Sequence, residues 1–372
     1  MSKKIGLITT GGDTPGINAV IRAIGKAGKT NDIQVIGFQD GFSGMAADLS
    51  IELEGSVFSG ILTRGGTMLG TNRDLPDQMF VDGKVIDRSS DIIDVYKKHD
   101  LDGLVCIGGG GAQDGAALLM NKGLNVITLP VTIDNDIPRS DISVGFETAM
   151  EIAAEAIDRL HTTAISHHRI IIVEIMGRET GWLTLGSGVA GGADVILIPE
   201  IPYDFAKIST AIQARNESGK RFSLVAVSEG AISKDSVQFF ESARRANERL
   251  RSGPNESEVA HTLDIIEKKS AGDTLHLSRQ LEKLTGLDTR VTILGYLQRG
   301  GPPSASDRIL ATRLGTTCVE TIASGSYGVM LAIQSGQIEP VPLGEVVGKV
   351  KTIPLEHAWL RAARLVGTCL GD

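Results

Sequence analysis

Short apolar runs, each closed by glycine or a polar turn and followed by a helix-like stretch, recur along the chain and constrain its fold more than any other feature. This alternation is expected of strands and helices in a parallel sheet. The strand-like runs are Lys4–Thr9, Gln34–Phe38, Gly103–Ile107, Asn125–Leu129, Arg169–Ile175, Val195–Ile198, Phe222–Val227, Arg290–Leu294 and Val329–Ile333. Apolar residues at helical spacing mark Gly16–Ala27, Ala112–Lys122, Thr148–Thr162, Phe205–Asn216 and Asp307–Ile322. The pattern predicts an α/β fold with doubly wound, mainly parallel sheets.

Chain length limits how many such sheets can form. With 372 residues, the chain is long enough for about two domains. No linker-like tract separates them, so we expect two lobes that share crossing chain segments, with a cleft between them. The expected ranges are 1–138 plus 253–307 for a larger lobe, 139–252 plus 308–345 for a smaller lobe, 234–284 for a charged helical excursion and 346–372 for a C-terminal helical segment.

Charge, cysteines and hydropathy argue against several classes of protein. The formal net charge of −8 disfavours nucleic-acid binding, which rests on clustered excess Lys and Arg. The cysteines Cys106, Cys318 and Cys369 lack metal-binding spacing and form an odd set, so we interpret them as reduced thiols. No apolar run approaches the about 20 residues of a membrane span, and the N-terminus does not resemble a signal peptide. We expect a cytoplasmic protein that binds neither nucleic acid nor membrane.

Glycine-rich turns follow predicted strands and precede helices at Thr10–Asn18, Arg64–Gly70 and Ile107–Asp114. Backbone N–H groups at such a turn, together with the positive end of the helix, can bind phosphate, and the missing side chains let the ligand approach. Each turn could equally be a plain tight turn at a strand end. Neither a GxxxxGK[ST] loop nor a dinucleotide-binding GxGxxG pattern is present, so nucleotide binding of those two kinds is not indicated.

The segment Leu129–Asp136 places a hydroxyl and two carboxylates at alternate positions directly after an apolar run. If the chain stays extended there, Thr132, Asp134 and Asp136 point to one side. Two such carboxylates suit phosphoryl transfer, in which one removes a proton from the attacking hydroxyl and the other holds Mg²⁺. An Asx-turn with capping Asp side chains is the structural alternative.

Arginines next to strand ends are the last feature that indicates phosphate. They are Arg73, Arg169, Arg178, Arg290 and Arg299. Each could be an ordinary surface ion-pair partner. The guanidinium fork nevertheless matches phosphate oxygens, and α/β proteins bind ligands at the carboxyl ends of their strands. Together the arginines favour a pocket for two phosphorylated ligands.

These motifs, in this order, resemble the bacterial-type 6-phosphofructokinase family from Lys3 to about Gly336. Gly11–Asn18 is similar to its first phosphate loop, and Pro130–Asp136 to its catalytic segment. Its sugar-phosphate loops are matched by Met176–Arg178, by Ser228 with Glu229, and by Leu294–Gly301. The resemblance implies glycolytic phosphorylation of fructose 6-phosphate at its 1-hydroxyl, with the larger lobe binding the donor and the smaller lobe the sugar phosphate.

Site roles follow from the same resemblance. Asp134 would be the general base, Thr132 would hydrogen-bond the transferring phosphoryl group, and Arg178 would stabilise its charge. The donor residues would be Gly11, Arg73, Gly108, Gly109, Gly110 and Gly111, with Phe42 against the adenine. The sugar phosphate would contact Thr132, Asp134, Met176, Gly177, Arg178, Glu229, Arg299 and Tyr296, which stands where short bacterial enzymes have histidine. Arg169 and Arg290 would come from a neighbouring subunit of a homotetramer or homodimer with shared sites.

Two departures from the family pattern concern the metal and the donor. Asp136 would serve Mg²⁺ directly or through water, but Gly110 replaces the aspartate that the ATP-using branch links to Mg²⁺, and Asp114 is a possible substitute. Pyrophosphate users typically have aspartate at 111 and lysine at 131, whereas this chain has Gly111 and Val131, which favour ATP. Three alternatives stay open: pyrophosphate as donor, sedoheptulose 7-phosphate as acceptor, and a catalytically silent regulatory subunit.

Overall fold

The structure, a computed structural model, describes residues 3–249 and 273–372. In chain order the strands are β1 (Lys3–Thr10), β2 (Ile33–Phe38), β3 (Ser50–Glu52), β4 (Met79–Val81), β5 (Lys84–Ile86), β6 (Gly103–Gly108), β7 (Val126–Pro130), β8 (Ile170–Ile175), β9 (Val195–Leu197), β10 (Ser223–Ser228), β11 (Thr289–Ile293), β12 (Val329–Gln334) and β13 (Gln337–Pro342). The helices are α1 (Ile17–Thr30), α2 (Gly41–Ala46), α3 (Ser89–Lys98), α4 (Gly110–Asn121), α5 (Phe146–His167), α6 (Trp182–Ala190), α7 (Phe205–Glu217), α8 (Lys234–Arg249), α9 (Thr274–Thr285), α10 (Ala305–Ala323) and α11 (Ala358–Leu365).

The chain divides into two compact units, each built from two separate segments. Unit 1 comprises Met1–Ala149 and Arg299–Lys351, and unit 2 comprises Met150–Gln298 and Thr352–Asp372. Within the described residues, the sheet of unit 1 has the strand order β13-β12-β7-β6-β1-β2-β3. Strands β12, β7, β6, β1 and β2 are parallel, and β13 and β3 are antiparallel at the two edges.

Both faces of the unit 1 sheet are covered by helices. Alternate side chains of its central strands, such as Leu7 and Val105, pack with apolar residues of α1 and α10. The intervening side chains, such as Ile8 and Cys106, pack with residues of α2, α3 and α4. Because successive side chains of a strand face opposite sides, strands buried on both faces are apolar throughout, as the sequence runs are. Unit 1 is a doubly wound sheet.

Unit 2 has a smaller parallel sheet with the order β11-β8-β10-β9. On one face, β8, β9 and β10 form a core with α7 and α9, which includes Leu277 and Leu281. On the other face, Ile196 and Ala226 approach Gly188 of α6, where an added Cβ would lie 2.8 Å from Ile196. Helices therefore cover both faces here as well, and the expected α/β class is confirmed.

The expected lobe boundaries differ from these units in the later part of the chain. Strand β11 pairs with β8, so the described part of 253–307 before Arg299 belongs to unit 2 rather than to the larger lobe. Strand β12 pairs with β7, so 308–345 belongs to unit 1 rather than to the smaller lobe. The assignment was wrong for these segments because apolar runs identify strands but not their partners. Residues 250–272 lie outside the described residues.

Two further segment predictions hold in part. The charged excursion at 234–284 contains helices α8 and α9, but Leu277 and Leu281 bury α9 in the core, so that half is not a solvated face. The C-terminal segment 346–372 has one helix, α11, and Val346–Lys351 belongs to unit 1 without being helical. No described helix is both long enough and apolar enough to cross a bilayer.

Asp307 ties the start of α10 to the start of α5 within unit 1. Its carboxylate accepts hydrogen bonds from the backbone N–H groups of Gly145 at 2.7 Å and Thr148 at 2.8 Å, and from the Thr148 hydroxyl. The side chain is 1% exposed, and burial raises its pKa while these hydrogen bonds lower it. The negative charge is placed where the positive end of a helix favours it.

Asp307→Ala should therefore lower the free energy of unfolding by about 2 to 4 kcal/mol, because it leaves buried N–H donors without an acceptor. Urea denaturation measures the change. Glu320→Ala, at an exposed position of the same helix, is the control and should change stability by less than about 0.5 kcal/mol. Equal stability of the two variants would contradict a stabilising role for the hydrogen bonds of Asp307.

Candidate active site

Three neighbouring strands of unit 1 end level with one another and thereby bring the predicted motifs together. Thr10 of β1 pairs with Gly108 of β6, and Gly108 pairs with Pro130 of β7. These strand ends lead directly into the glycine turn Thr10–Asn18, called the first glycine turn below, the glycine turn Ile107–Asp114, called the second, and the acidic segment. Parallel strands present their carboxyl ends on one edge, so the three loops lie side by side there.

The first glycine turn is shaped by close contacts that a side chain would prevent. Gly11 has a φ of +99°, and its N–H donates to Asn72 O at 2.7 Å. A Cβ on Gly12 would lie 2.6 Å from Arg299 Nη1, and the same Nη1 donates to Asp13 O at 3.1 Å. Glycine at position 12 thus allows the buried Arg299 guanidinium to lie against the turn.

The second glycine turn leads into α4, which begins at Gly110. A Cβ on Gly108 would lie 2.1 Å from Thr10 O, so that glycine is required by the close approach of two strands. Gly110 and Gly111 differ from Gly108 in having room for a side chain. An added Cβ at Gly110 meets nothing within 4 Å, and one at Gly111 meets only Leu75 Cδ2, at 4.0 Å. Gly109, Gly110 and Gly111 line a cavity at the N-terminus of α4, and backbone N–H groups at the start of a helix can bind phosphate oxygens.

The acidic segment bends after β7 instead of continuing as a strand. Asp134 N donates to Thr132 Oγ1 at 3.2 Å, and that hydroxyl lies 3.3 Å from Asp134 Oδ2. Asn135 has a φ of +51°, a left-handed conformation that reverses the chain between the two carboxylates. The segment is therefore not extended beyond Thr132, and the local bond is of the Ser/Thr-turn type rather than the Asx-turn considered as the alternative.

A cavity of about 270 Å³ lies at this edge of unit 1. Its lining includes predicted residues from all three loops and from two arginine positions: Gly11, Arg73, Gly109, Gly110, Gly111, Thr132, Asp134, Asp136 and Arg299. Glycine N–H groups, two guanidinium groups, a hydroxyl and two carboxylates therefore converge on one space. The N–H and guanidinium groups can hold a phosphorylated ligand, and a carboxylate can remove a proton from a hydroxyl.

Three predicted contacts of this pocket are not borne out, and the first is Gly108, which is buried and does not line the cavity. Phe42 is 0% exposed and packs in the core against Gly115, where an added Cβ would lie 2.5 Å from its ring, so it offers no surface to adenine. Asp114 does not line the cavity, and its Oδ1 accepts a hydrogen bond from Gly348 N at 3.1 Å. Asp114 lies one turn after the start of α4, where its side chain contacts the C-terminal segment instead of the cavity.

The remaining sugar-phosphate residues lie in unit 2 at the carboxyl ends of β8, β10 and β11. Gly177 has a φ of +136° and its carbonyl accepts from Ser228 Oγ, while Glu229 N donates to Ile175 O at 2.9 Å. These bonds place Met176, Arg178 and Glu229 on adjacent loops. Tyr296, in the turn after β11, is 76% exposed.

Arg169 and Arg290 lie at the opposite end of the strands in the same sheet, where the strands begin. Arg169 precedes β8 and Arg290 lies at the start of β11, and both guanidinium groups pair with the carboxylate of Asp288. They are therefore separated from Met176–Arg178 by the length of a strand. The structure does not bring these two arginines to the sugar-phosphate loops of their own chain.

A lysine that the motifs did not indicate also approaches the acidic segment. Lys351 Nζ donates to Asn135 Oδ1 at 3.0 Å and to Ser140 O at 2.7 Å. Burial lowers the pKa of Lys351 to about 8, opposed by the carboxylates of Asp136 and Asp141. No spacing rule links Lys351 to a segment more than two hundred positions earlier.

The pocket also has the ligands that a hydrated divalent cation needs. No group of three or more His, Cys, Asp or Glu side chains able to hold a metal occurs in the described part of the chain, so it contains no metal cage built from such side chains alone. Mg²⁺ in phosphate sites keeps several waters and binds through one or two carboxylates and the substrate phosphates. Asp136, with Asp134 beside it in the lining, fits that mode.

The doubly wound sheets, the glycine turns at strand ends and the acidic pocket define an α/β enzyme of phosphoryl transfer. Comparison with known proteins makes this specific, because a model of the family described as phosphofructokinase matches residues 4–322. The chain belongs to the phosphofructokinase family.

Individual relatives cover the chain almost completely. An ATP-dependent 6-phosphofructokinase of Propionibacterium freudenreichii subsp. shermanii is 50% identical over 375 residues, with 100% of both chains covered. One of Spirochaeta thermophila is 45% identical over 377 residues and covers 100% of this chain and 98% of its own. The T-state crystal structure of Pichia pastoris phosphofructokinase matches with a TM-score of 0.77 at 30% identity, covering 93% of this chain and 35% of the yeast chain. The predicted family is confirmed.

Proposed function

We propose that this chain transfers the γ-phosphoryl group of ATP to the 1-hydroxyl of fructose 6-phosphate, giving fructose 1,6-bisphosphate. The observation that carries the proposal is the convergence of both glycine turns with Thr132, Asp134 and Asp136 in one pocket. The relatives at 50% and 45% identity are named for this ATP-dependent reaction. Membership of the family supports a kinase that uses ATP with a divalent metal.

Asp134 is the proposed general base. Its carboxylate lines the pocket, is half-buried, and lies 3.3 Å from Thr132 Oγ1. It takes the proton from the sugar hydroxyl as the oxygen attacks phosphorus, and Thr132 hydrogen-bonds the group in transfer. Arg178 stabilises the charge on that group, and Met176, Gly177, Glu229, Tyr296 and Arg299 hold the sugar phosphate.

Mg²⁺ is the proposed metal, held by Asp136 directly or through water. When bound, it neutralises charge on the donor phosphates. Position 110 supplies no carboxylate, so waters and phosphate oxygens would complete the coordination, as is common for Mg²⁺. Asp114 has no role at this metal, because it does not line the pocket and its Oδ1 accepts from Gly348 N at 3.1 Å.

The choice of ATP over pyrophosphate is supported by positions 111 and 131. Gly111 lines the pocket, and an added Cβ there would meet only Leu75 Cδ2, at 4.0 Å, so no side chain or charge at this position opposes the further phosphates of ATP. Val131 lines the pocket with an apolar side chain, so position 131 adds no cation for a small, highly charged donor. Gly11, Arg73 and the α4 N-terminus contact the donor phosphates.

Arg169 and Arg290 support an oligomer with shared sites. Both lie at the far edge of the unit 2 sheet from the sugar-phosphate loops, so they can serve a 6-phosphate only in a neighbouring subunit. We propose a homotetramer or homodimer on that ground. A cytoplasmic location is proposed from the three free cysteines, two of them buried.

One assay tests the reaction and its donor. Purified protein with Mg²⁺ and fructose 6-phosphate is offered ATP or pyrophosphate in parallel, and fructose 1,6-bisphosphate is measured. Turnover is expected with ATP and at least about 10²-fold less with pyrophosphate, given the missing cation at 131. Turnover with pyrophosphate alone would reverse the donor assignment. Faster turnover of sedoheptulose 7-phosphate than of fructose 6-phosphate would change the assigned acceptor. No turnover with any combination of donor and acceptor would favour a catalytically silent subunit.

A further inference from the structure

The segment 345–351, which we call the C-terminal strap, lies beyond the residues that the family model matches. It contacts helix α4 and the loop 131–145, which contains the two carboxylates and which we call the acidic loop. Glu345 pairs with Arg139 at 3.2 Å between Nε and Oε2. Gly348 N donates to Asp114 of α4, the helix that starts at the second glycine turn. Lys351 N donates to Asp136 O at 2.7 Å. The strap is thus bonded to the acidic loop at both of its ends.

Lys351 makes the most concentrated set of these contacts. Its ammonium group donates to Asn135 Oδ1 at 3.0 Å, to Ser140 O at 2.7 Å and to Asp141 O at 3.1 Å. An ammonium group has three protons, so each has an acceptor on the same loop. Two of the acceptors are backbone carbonyls, which means that the lysine fixes the course of the main chain.

Asn135 connects this anchor to the two carboxylates. It is the left-handed residue between Asp134 and Asp136, and it is 4% exposed. Its Oδ1 accepts from Lys351 and also from Ser143 N at 3.1 Å. Non-glycine residues hold a left-handed backbone only where the surroundings stabilise it. Lys351 therefore stabilises the bend on which the directions of both carboxylates depend.

We propose that Lys351 is a positioning residue, which holds the Asp134–Asp136 bend in the geometry needed for proton abstraction. Lys351 acts through Asp134, so this role rests on the proposed function of that carboxylate as base. A displacement of about 1 Å at a catalytic group can lower the rate about 10²-fold. The strap adds no group to the pocket itself, because Lys351 does not line it.

The test compares Lys351→Met with Lys349→Met, which removes an exposed ammonium of the same strap that is bonded within the strap to Glu345 O. Lys351→Met is expected to lower kcat about 10- to 100-fold, with the KM for fructose 6-phosphate changed less than about three-fold. Lys349→Met should keep the wild-type kcat. A kcat of Lys351→Met within two-fold of wild type would overturn the proposal.

The same substitution in an Asp134→Asn background separates positioning from general damage. If Lys351 acts through Asp134, Lys351→Met should cause little further loss once the base is gone, because residues that act as one unit are not additive. An equal loss in both backgrounds would reject the role. If the methionine variant does not fold, Lys351→Gln, which keeps two N–H donors, replaces it in the test. Its kcat should lie between that of wild type and the 10- to 100-fold loss expected for Lys351→Met.

These measurements also distinguish failure of the proposed function from failure of the Lys351 role. An unchanged kcat in the Asp134→Asn variant would show that Asp134 is not the base, and the positioning role of Lys351 would be rejected with it. A nearly inactive Asp134→Asn variant beside a fully active Lys351→Met variant would reject the role of Lys351 alone.

Discussion

Asp134→Asn is expected to lower kcat by about 10²- to 10⁴-fold, the usual contribution of a positioned general base, while the KM for fructose 6-phosphate changes little. The amide keeps the size of the carboxylate and can still bond the Thr132 hydroxyl, which lies 3.3 Å from Oδ2. It cannot accept the proton. Steady-state kinetics with saturating ATP and Mg²⁺ measure the change.

Asp141→Asn provides a matched control for this substitution. Asp141 is an exposed carboxylate of the same loop that does not line the pocket. Asparagine can keep the bond from Ser335 N, which is 2.6 Å from Oδ2, and it leaves unchanged the backbone O that accepts from Lys351. Its kcat should stay within about three-fold of wild type. Similar losses in the two variants would mean that the loop is sensitive to any lost charge, and Asp134 would then have no special role.

Gly111→Asp is expected to lower kcat/KM for ATP by about 10²-fold or more. An added Cβ meets only Leu75 Cδ2, at 4.0 Å, so the side chain fits without disturbing the fold and places a carboxylate at the open wall of the pocket. A like charge about 4 Å from a donor phosphate costs up to about 4 kcal/mol at an intermediate effective dielectric, and solvent reduces that cost. The KM for fructose 6-phosphate should change much less.

Gly344→Asp is the control for the added charge, because position 344 is exposed, has open space around an added Cβ and does not line the pocket. It should leave the ATP kinetics unchanged. Retention of the full kcat/KM for ATP by Gly111→Asp would show that the donor does not pass this wall, and the basis for assigning ATP at position 111 would be lost.

The sequence predicts the central architecture well, because burial on both faces leaves its mark on composition. Each long parallel strand, such as β6 or β8, coincides with an apolar run. Strands β3, β4, β5 and β13 were not recognised, since they are short or partly exposed edges and hairpins with little apolar pattern. The partners of β11 and β12 were not predictable either, because pairing depends on the three-dimensional path of the chain.

The pocket was predictable where chemistry follows directly from local sequence. The glycine turns and the acidic segment are continuous motifs that end neighbouring strands, so Gly11, Gly110 and Asp134 meet as expected. Phe42 illustrates the limit, since an aromatic residue next to a phosphate loop can face the core or the ligand, and burial decides which. Lys351 illustrates another, because its contacts arise from the return of a distant segment.

The order of the segments in unit 1 has a consequence for how the protein is made. Strand β12 must pair with β7, and α10 must cover the face shared with α1, yet all of residues 150–298 are synthesised in between. Until α10 and β12 have been synthesised, the part of this sheet that they cover and pair with has no partner. Contacts of such high sequence separation form slowly, and exposed apolar surface promotes aggregation meanwhile. The two halves of this core are therefore joined only after the whole intervening part of unit 2 has been synthesised.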